Sequence, residues 1–525
     1  MSHPKNIHIA KLVIETTSPM AINSGQRETG FDAELARDAN GLPTIPATAI
    51  AGVWSHLGER IAYEDKGDVD AANQLKKYWF GNTDQSSSLS INSGRVHNSN
   101  NQPVSTLLSS EDISRDPLLA LLASPAPLHR ERVSLNDRGV AKDTGKFDQV
   151  LLPTGTRFSI TLRFDDRPRK DGECLSLDGP QGFNSLLKAW FDPRFAFGSS
   201  TRNGLGKIKI IAGELSSIDL SKGITAVSAI KNALNSQPKS LASIFENNHQ
   251  VNLLASLPLQ ALDNWRCGTG SDLLVDSGIS VKKEKVVTKA ASVKPGAASA
   301  SPKVSVRRTE SKFDKPDDVD NIHSLSYSEK VIEWSGIAAG SQSSVSKPKA
   351  ILCGSSVKGI LAHRIAFHYR KHEKIWAENM AGCPDEEWET RPNELKELLG
   401  LADDSDHKNS VAGKLWVSDC ELEFEHTVVR THNQIDRFTG GVRKGALYTE
   451  ELLYQPKFTL KLFIDPSAKL SPSLRSALKD TLNDIELGLL PIGAGSGRGN
   501  SLVLATEYNE NKWSINTDFL KGDAA

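Results

Sequence analysis

The chain has 525 residues and a formal net charge of −1, from 63 lysines and arginines against 64 aspartates and glutamates. This length is too great for one ordinary hydrophobic core, so two or more domains are expected. Balanced charge is unusual in a protein that coats free nucleic acid, so any RNA site must be a local basic surface. The polar N-terminus and the lack of an apolar run of about 20 residues predict a cytoplasmic protein without a membrane partner.

The predicted elements form one series that occurs twice. The first half runs from an apolar strand, HIAKLVIETTSPMAI, through a helical segment, LPTIPATAIAGVWSHLGERIAY, and GRV to FAFGSSTRNGLGKIKI. The second half runs from VNLLASLPLQAL through AILCGSSVKGILAHRIAFHY and GKLWV to LLPIGAGSGRGNSLVL. Matching landmarks, such as Gly52 with Gly359 and Gly206 with Gly499, lie roughly 290 to 310 residues apart, which is too far for a short solenoid repeat.

Two whole domains are therefore predicted, over residues 1–245 and 246–525. Each mixes alternating strand segments with one or two helices, which predicts an α+β fold with a split βαβ, ferredoxin-like sheet of the kind found in RRM domains. Such folds commonly present a sheet face or its loops to single-stranded RNA. Residues 281–325, rich in lysine, alanine, serine and proline, are expected to form a flexible basic insertion, either a plain linker or an arm that contacts nucleic acid.

Each half has a helix start that suits an anion. In the segment GSSVKG, the hydroxyls of Ser355 and Ser356 and the free N–H groups of the first turn favour a phosphate, which Lys358 can also reach. The counterpart around Thr48 keeps the helix start and lacks the lysine. The alternative is a helix cap that is followed by an exposed lysine.

Each half also ends in a glycine-rich loop, Gly198–Lys207 in the first half and Gly493–Gly499 in the second. Glycines let backbone N–H groups approach a phosphate closely, and Arg202, Lys207 and Arg498 add positive charge. A single loop of this kind is more often a plain turn, but two that close matching halves favour phosphate binding.

Together these features resemble the RAMP superfamily, and in particular the backbone subunits (the seventh Cas family) of type III CRISPR effector complexes, including fused subunits of the variant type III-D kind. The resemblance covers nearly the whole chain outside the insertion, and it also rests on the segment IDRFTGG. It implies that KDTGKFDQVLLP and GGVRKGALYTEE are β-hairpin thumbs, preceded by Arg138 and Arg437 and inserted into a guide–target duplex to flip one base pair. The alternative is that the two arginines are ordinary surface residues.

The resemblance further implies an acidic residue between the first strand and the first helix of each half. Asp32 takes this position in the first half, and Asp272 is the nearest match in the second, with Asp276 as a rival. A carboxylate there can hold Mg²⁺ or Mn²⁺ against the scissile phosphate, or help to deprotonate the neighbouring 2′-hydroxyl. The alternative is that both aspartates are solvated or capping groups.

The sequence therefore predicts an endoribonuclease that binds crRNA and cleaves complementary target RNA at regularly spaced sites with a divalent metal ion. Its expected partners are crRNA, target RNA, other backbone subunits, the large polymerase-like subunit and the small subunits of a type III complex. Two alternatives stay open: a non-catalytic crRNA-binding scaffold, and a guide-processing endoribonuclease that uses His56 or His363.

Overall fold

The structure is a computed structural model. It describes residues 5–25, 33–135, 141–166, 179–192, 194–238, 253–274, 322–383, 392–401 and 410–520. The first half contains β1 (Asn6–Thr16), β2 (Thr44–Ile45), α1 (Ala47–Lys66), α2 (Val69–Phe80), β3 (Leu89–Ile91), β4 (Gly94–Val96), α3 (Ser110–Arg115), α4 (Pro117–Ala123), β5 (Leu128–Leu135), β6 (Ala141–Leu151), β7 (Arg157–Asp166), α5 (Gly179–Lys188), β8 (Ile208–Asp219) and α6 (Ile224–Asn235).

The first sheet is antiparallel, and its β1 strand lies between β7 and β8. Its strand order is β2-β4-β7-β1-β8, and β3 also pairs with β7. Alternate side chains of β1 point to opposite faces, so Leu12 and Ile14 enter the main core while Ile7 and Ile9 pack under α6. The sheet is therefore covered on one face by the main core and, at one end of the other face, by α6.

The second half repeats this plan. Its sheet has the order β15-β19-β9-β20, with β21 also paired to β9, and the pairs are antiparallel. Its elements are β9 (Leu253–Ala261), β10 (Asn264–Trp265), β11 (Ser328–Glu329), β12 (Ile332–Trp334), β13 (Ser343–Val345), β14 (Lys349–Leu352), α7 (Gly354–His372), α8 (Asn393–Leu399), β15 (Leu415–Val417), β16 (Cys420–Glu421), β17 (Thr427–His432), β18 (Tyr448–Tyr454), β19 (Lys457–Ile464), α9 (Pro472–Glu486), β20 (Val503–Ala505) and β21 (Ser514–Ile515). The predicted α+β class is confirmed in both halves.

The strand pairing corrects one detail of the repeat. Sequence similarity aligns GRV of β4 with LWV of β15, whereas the hydrogen-bonded neighbours align LWV with LSI of β3. Leu415 lies opposite Ile464 near the end of β19, just as Leu89 lies opposite Phe164 near the end of β7. The register of the central strands therefore gives the correct counterparts, because short edge strands carry too few residues to align by sequence.

The two glycine-rich loops have the same backbone conformation. Each contains a short 3₁₀ turn, at Thr201–Asn203 and Ser496–Arg498. Left-handed residues occur at four matching positions, each pair separated by 295 residues: Gly198 and Gly493, Ser200 and Gly495, Gly204 and Gly499, and Gly206 and Ser501. The structural partner of Gly499 is therefore Gly204, two residues before the Gly206 that the sequence comparison paired with it.

A hairpin from the second half packs into the core of the first. Ile332, in β12, is buried in the first core, and its N–H donates to the carbonyl of Thr154 (2.9 Å). The indole of Trp334 donates to the carbonyl of Gly155 (2.8 Å), and the Arg157 guanidinium lies over its ring at 4.2 Å. The two halves are thus interlocked, while the predicted division at residue 245 stays a prediction because residues 239–252 lie outside the described ranges.

Most of the predicted insertion, residues 281–321, also lies outside the described ranges. Among the helices that the structure describes, none is long and apolar enough to cross a membrane.

Candidate nucleic-acid interface

The first glycine-rich loop lies at the junction between the two halves. Lys207 Nζ donates to Ser418 Oγ (2.7 Å) and lies 4.3 Å from the centre of the Phe463 ring. The Arg202 guanidinium lies 3.9 Å from the centre of the Trp416 ring. Burial lowers the pKa of Lys207 to about 8 and that of Arg202 to about 10. Two of the basic residues predicted to bind RNA therefore contact the second half, and their contact with RNA stays a prediction.

The first glycine-rich loop approaches Asp419 so closely that only glycine fits at position 204. Gly204 has a φ of +100°, and a Cβ there would lie 2.6 Å from Asp419 Oδ1. Its counterpart Gly499 has no atom within 4 Å of an added Cβ among the described residues. The same glycine conformation therefore serves packing in the first half and leaves an open surface in the second.

At the start of α7, the Asp419 carboxylate of the same chain accepts a hydrogen bond from a free backbone N–H group. The N–H of Gly354 donates to Asp419 Oδ1 (2.7 Å), as the N–H of Ala47 donates to Ser93 Oγ (3.2 Å) at the start of α1. An acidic acceptor at a helix N-terminus satisfies a free donor and the helix dipole. This part of the predicted anion site is thus filled from within the protein.

The other predicted residues of the helix starts differ in exposure. Thr48 and Ser356 are exposed, Ser355 is half-buried and Lys358 is buried. Only Thr48 and Ser356 therefore present side chains fully to an incoming strand, and RNA binding by all four stays a prediction.

A buried ionic network that sequence reasoning missed joins the halves beneath the first hairpin. Arg130, in β5, is 1% exposed. Its Nε donates to Glu329 Oε1 (2.6 Å) and to the Tyr327 hydroxyl (3.1 Å), and its Nη2 donates to Asp419 Oδ2 (2.7 Å). Burial raises the pKa of Glu329, so the carboxylate depends on the guanidinium to stay ionised. The base of the β5–β6 hairpin is therefore fixed to the second half.

Asp272 lies in a cleft at the base of that same hairpin. The cleft has a volume of about 430 Å³ and is lined by both halves, with His129 and Glu131 from β5 on one side. Asp272 Oδ1 accepts a hydrogen bond from Lys330 Nζ (3.0 Å), and its side chain is 39% exposed. The aspartate predicted for the second domain therefore lies beside the hairpin of the first domain.

Three residues of the predicted cleavage and thumb sites, Asp32, Asp276 and Arg138, lie outside the described ranges. Within those ranges, no three histidine, cysteine or acidic side chains converge in a way that could hold a metal ion. Asp272 and its described neighbours thus do not form a metal site by themselves.

A basic pocket lies beside the second glycine-rich loop. Its volume is about 700 Å³, and it is lined by His432, Asn433, Gln434, Arg443, Lys444, Gly445, Ala446, Tyr448 and Arg498. Arg498 Nη1 donates to the Tyr448 hydroxyl (2.7 Å), and the Tyr448 and His432 rings stack with centres 4.9 Å apart. Cationic side chains next to stacked rings suit both the phosphates and the bases of a single strand. The sequence analysis named Arg498 as an RNA-binding residue, and Arg443, Lys444 and Tyr448 lie in GGVRKGALYTEE, the segment that the resemblance implies to be a thumb. That these side chains meet Arg498 in one pocket is seen only in the structure.

The tip of the β17–β18 hairpin presents an exposed aromatic ring. Asp436 Oδ1 accepts hydrogen bonds from the N–H groups of Thr439 and Phe438 (2.9 Å each), which lower the pKa of Asp436. This turn leaves Phe438 99% exposed and Arg437 exposed beside it. The segment IDRFTGG thus forms a hydrogen-bonded turn, and the role of Arg437 in RNA binding stays a prediction.

Two repeated α+β units, which pack against each other through the β12 strand, the Arg130 network and the first glycine-rich loop, define a tandem protein. Comparison with known families identifies the unit. The profile of the RAMP superfamily matches residues 13–209 and 337–503. The chain therefore belongs to the RAMP superfamily and carries two RAMP regions in tandem.

A comparison with curated proteins gives no match. Among solved structures, the chain is similar to one chain of a cryo-EM structure of the type III-B Cmr-beta bound to cognate target RNA, with 14% sequence identity and a TM-score of 0.26. That similarity covers 40% of this chain and 61% of the other.

Proposed function

We propose that this chain is a backbone subunit of a type III CRISPR effector complex, and that it binds crRNA and the target RNA paired to it. Its two RAMP regions support this proposal together with the sequence resemblance to backbone subunits. The observation that carries it is the basic pocket, because Arg443, Lys444 and Arg498 surround the stacked rings on an otherwise charge-balanced protein.

The strand order supports the finer fold assignment. In the first half, β8-β1-β7-β3 with α1 after the first strand and α5 before the last is the arrangement of a ferredoxin-like domain. The second half has the matching order β20-β9-β19-β15. The β5–β6 and β17–β18 hairpins, which belong to separate small sheets, are the two thumbs of the proposal.

In this proposal RNA passes the pocket with its phosphates against the three cationic side chains and a base on the His432–Tyr448 stack. The pocket's volume of about 700 Å³ lies in the range that accommodates small ligands such as a nucleotide. The remaining residues of the proposed RNA path are Thr48, Arg138, Arg202, Lys207, Ser355, Ser356, Lys358 and Arg437.

The RNA-binding proposal is tested by fluorescence anisotropy with labelled single-stranded RNA over a salt series. A triple variant, R443A/K444A/R498A, is expected to bind at least about tenfold more weakly and to lower the slope of log K against log salt by about 2, from three lost phosphate contacts. The matched control is R115A/K222A/K231A, which removes the same charge from exposed positions elsewhere. Equal losses in the two variants would show that no local site exists.

We further propose that target RNA beside the first hairpin is cut by its own 2′-hydroxyl. The 2′-oxygen bonds to the adjacent phosphorus while the bond from phosphorus to the 5′-oxygen breaks and the 5′-oxygen takes a proton from water, which leaves a 2′,3′-cyclic phosphate and a 5′-hydroxyl. Asp272 accepts the 2′-hydroxyl proton, and Asp32 does the same in the first half. What supports this is the position of Asp272 in a cleft beside the hairpin, where a flipped nucleotide would lie. The described residues do not form a metal site, so the need for Mg²⁺ or Mn²⁺ stays a prediction.

A non-catalytic scaffold is the second candidate, and one observation favours it. The ion pair between Asp272 and Lys330 gives this aspartate a structural role that needs no chemistry. The two candidates predict different effects on RNA cleavage when Asp272 or Lys330 is substituted.

Cleavage of labelled target RNA by the assembled complex separates them. D32A and D272A are each expected to abolish one distinct cut while target binding persists, and K330A, the matched control for the ion pair, is expected to keep both cuts. If neither aspartate variant changes the cut pattern, the scaffold alternative holds. Repeating the assay with EDTA tests the predicted need for a divalent ion.

A further inference from the structure

The cleft that holds Asp272 also presents a histidine, His129, that the proposed cleavage does not use. His129 lies in β5, where successive side chains point to opposite faces of the hairpin. Its neighbour Arg130 points inward and is held by Glu329 and Asp419 of the second half. The side chain of His129 therefore faces the cleft, at a position that the buried network fixes.

An acidic side chain of the same hairpin lies beside the His129 ring. The strand register pairs His129 with Val150, which makes Asp148 its diagonal neighbour on the same face of the hairpin. The Nε2 atom of His129 lies 3.5 Å from Asp148 Oδ1, and 35% of the His129 side chain is exposed. A carboxylate in this position holds an imidazole in a fixed orientation. His129 is therefore an oriented imidazole with access to the cleft.

The proposed cleavage needs a proton donor as well as a base. The 5′-oxygen leaves as an alkoxide unless a proton reaches it, and a positioned acid contributes roughly 10²–10⁴-fold to the rate of such a step. In an in-line displacement the attacking and leaving oxygens lie on opposite sides of the phosphorus. The donor must therefore lie across the scissile phosphate from Asp272.

His129 meets this requirement better than two other proton-bearing side chains of the cleft. Lys330 donates to Asp272 itself (3.0 Å), so it lies on the side of the base. The Tyr327 hydroxyl donates to Glu329 (2.5 Å), and burial raises the pKa of Tyr327, so this proton is held in the buried network. His129 belongs to the wall of the cleft that the first half supplies, whereas Asp272 belongs to the wall of the second half. Histidine is also the side chain that most readily exchanges a proton near neutral pH.

We infer that His129 is the general acid of the cleavage site that contains Asp272. As the 2′-oxygen bonds to phosphorus and loses its proton to Asp272, the protonated imidazole of His129 gives a proton to the 5′-oxygen, whose bond to phosphorus breaks. Water then returns a proton to His129 and takes one from Asp272, so the proton of the 5′-hydroxyl comes from water through His129. The inference rests on the proposed function, and it makes the site composite, with its acid from the first half and its base from the second.

A sulfur-substituted target RNA tests this inference in the assembled complex. The bridging 5′-oxygen at the Asp272-dependent cut is replaced by sulfur, which leaves without a proton donor because thiolates form near neutral pH. H129A is expected to slow this cut in ordinary RNA by about 100-fold and to cleave the sulfur-substituted RNA at the wild-type rate. D272A, which lacks the base, should slow the cut in both RNAs.

Two variants of the same hairpin serve as controls. E131A changes the next side chain on the cleft face of β5, where Glu131 forms an exposed ion pair with Lys146 (3.0 Å), and it should leave both rates unchanged. D148N removes the charge that orients His129, so it should slow ordinary RNA less than H129A does and should also be rescued by sulfur. A thermal unfolding curve confirms that each variant folds.

The outcomes separate this inference from the proposed function. If D272A loses the cut while H129A slows both RNAs equally, or slows neither, His129 is not the general acid and this inference alone is overturned. If D272A keeps the cut in ordinary RNA, the proposed cleavage by Asp272 is itself wrong. H129Q, which keeps a polar side chain of similar size, replaces H129A if the alanine variant does not fold, and the same rescue by sulfur is expected of it.

Discussion

The two glycine-rich loops have one backbone and two environments. Left-handed residues occupy the same four positions in each, yet the first loop packs on Asp419 and Trp416, whereas the second lies open beside the basic pocket. The loop conformation is therefore a property of the RAMP unit, while its contacts depend on which side chains and which neighbour surround it. A loop that looks like a phosphate cradle in the sequence can thus be the joint between two domains.

The largest effect is expected from breaking the junction at its buried arginine. R130A should lower the free energy of unfolding by about 3–5 kcal/mol, because Glu329 and Asp419 lose their buried counter-charge. Urea denaturation measures it. The control is R115A, which removes an exposed ion pair to Glu111 and should cost less than about 1 kcal/mol.

The pH dependence of that variant gives a second check. Burial already raises the pKa of Glu329, and loss of the guanidinium should raise it further. A raised pKa favours the protonated carboxyl in the folded state. The difference in unfolding free energy between wild type and R130A should therefore shrink as pH falls through the pKa of Glu329. If this difference in unfolding free energy stays constant with pH, Glu329 is not the buried carboxylate that loses its counter-charge in R130A.

A matched pair of glycine substitutions sharpens the comparison of the loops. G204A and G499A both place a side chain at a positive φ, which costs about 1–2 kcal/mol. G204A should cost about 1–3 kcal/mol more, because its Cβ also meets Asp419 at 2.6 Å. The unfolding free energies of both variants are measured under the same conditions. Equal decreases for G204A and G499A would contradict the difference in packing between the two loops.

A smaller effect should separate the two loop arginines. R498A should leave the unfolding free energy nearly unchanged and lower the salt slope of RNA binding by about 0.7, the value for one phosphate contact on a single strand. R202A should lower the stability, because its guanidinium packs on Trp416. The salt slope of R202A then tests whether Arg202 also contacts RNA, as the sequence predicted; an unchanged slope would restrict it to the junction.

Much of the fold could be predicted from the sequence, because the repeat fixes which segments correspond. The α1 and α7 helices, the central strands and both glycine-rich loops lie where their patterns indicated. The junction could not be predicted, since Arg130 lies in a charged strand, RERV, that reads as surface, and its partners are distant in sequence. The basic pocket as a whole could not be predicted, because no local pattern encodes the path by which the hairpin brings Arg443 and Lys444 to Arg498.

A titration at the junction should give a further effect. Burial lowers the pKa of Lys207 to about 8 in the folded protein, below the ordinary value of a lysine that applies to the unfolded chain. Between these values the unfolded chain binds more protons than the folded one, so stability should rise with pH through this window. Unfolding curves from pH 7.5 to 10.5 should show that rise in the wild type and a weaker one in K207M, which lacks the titrating group. Parallel pH profiles for the two proteins would mean that Lys207 is solvated and that the first loop is more open than its contacts with Ser418 and Phe463 indicate.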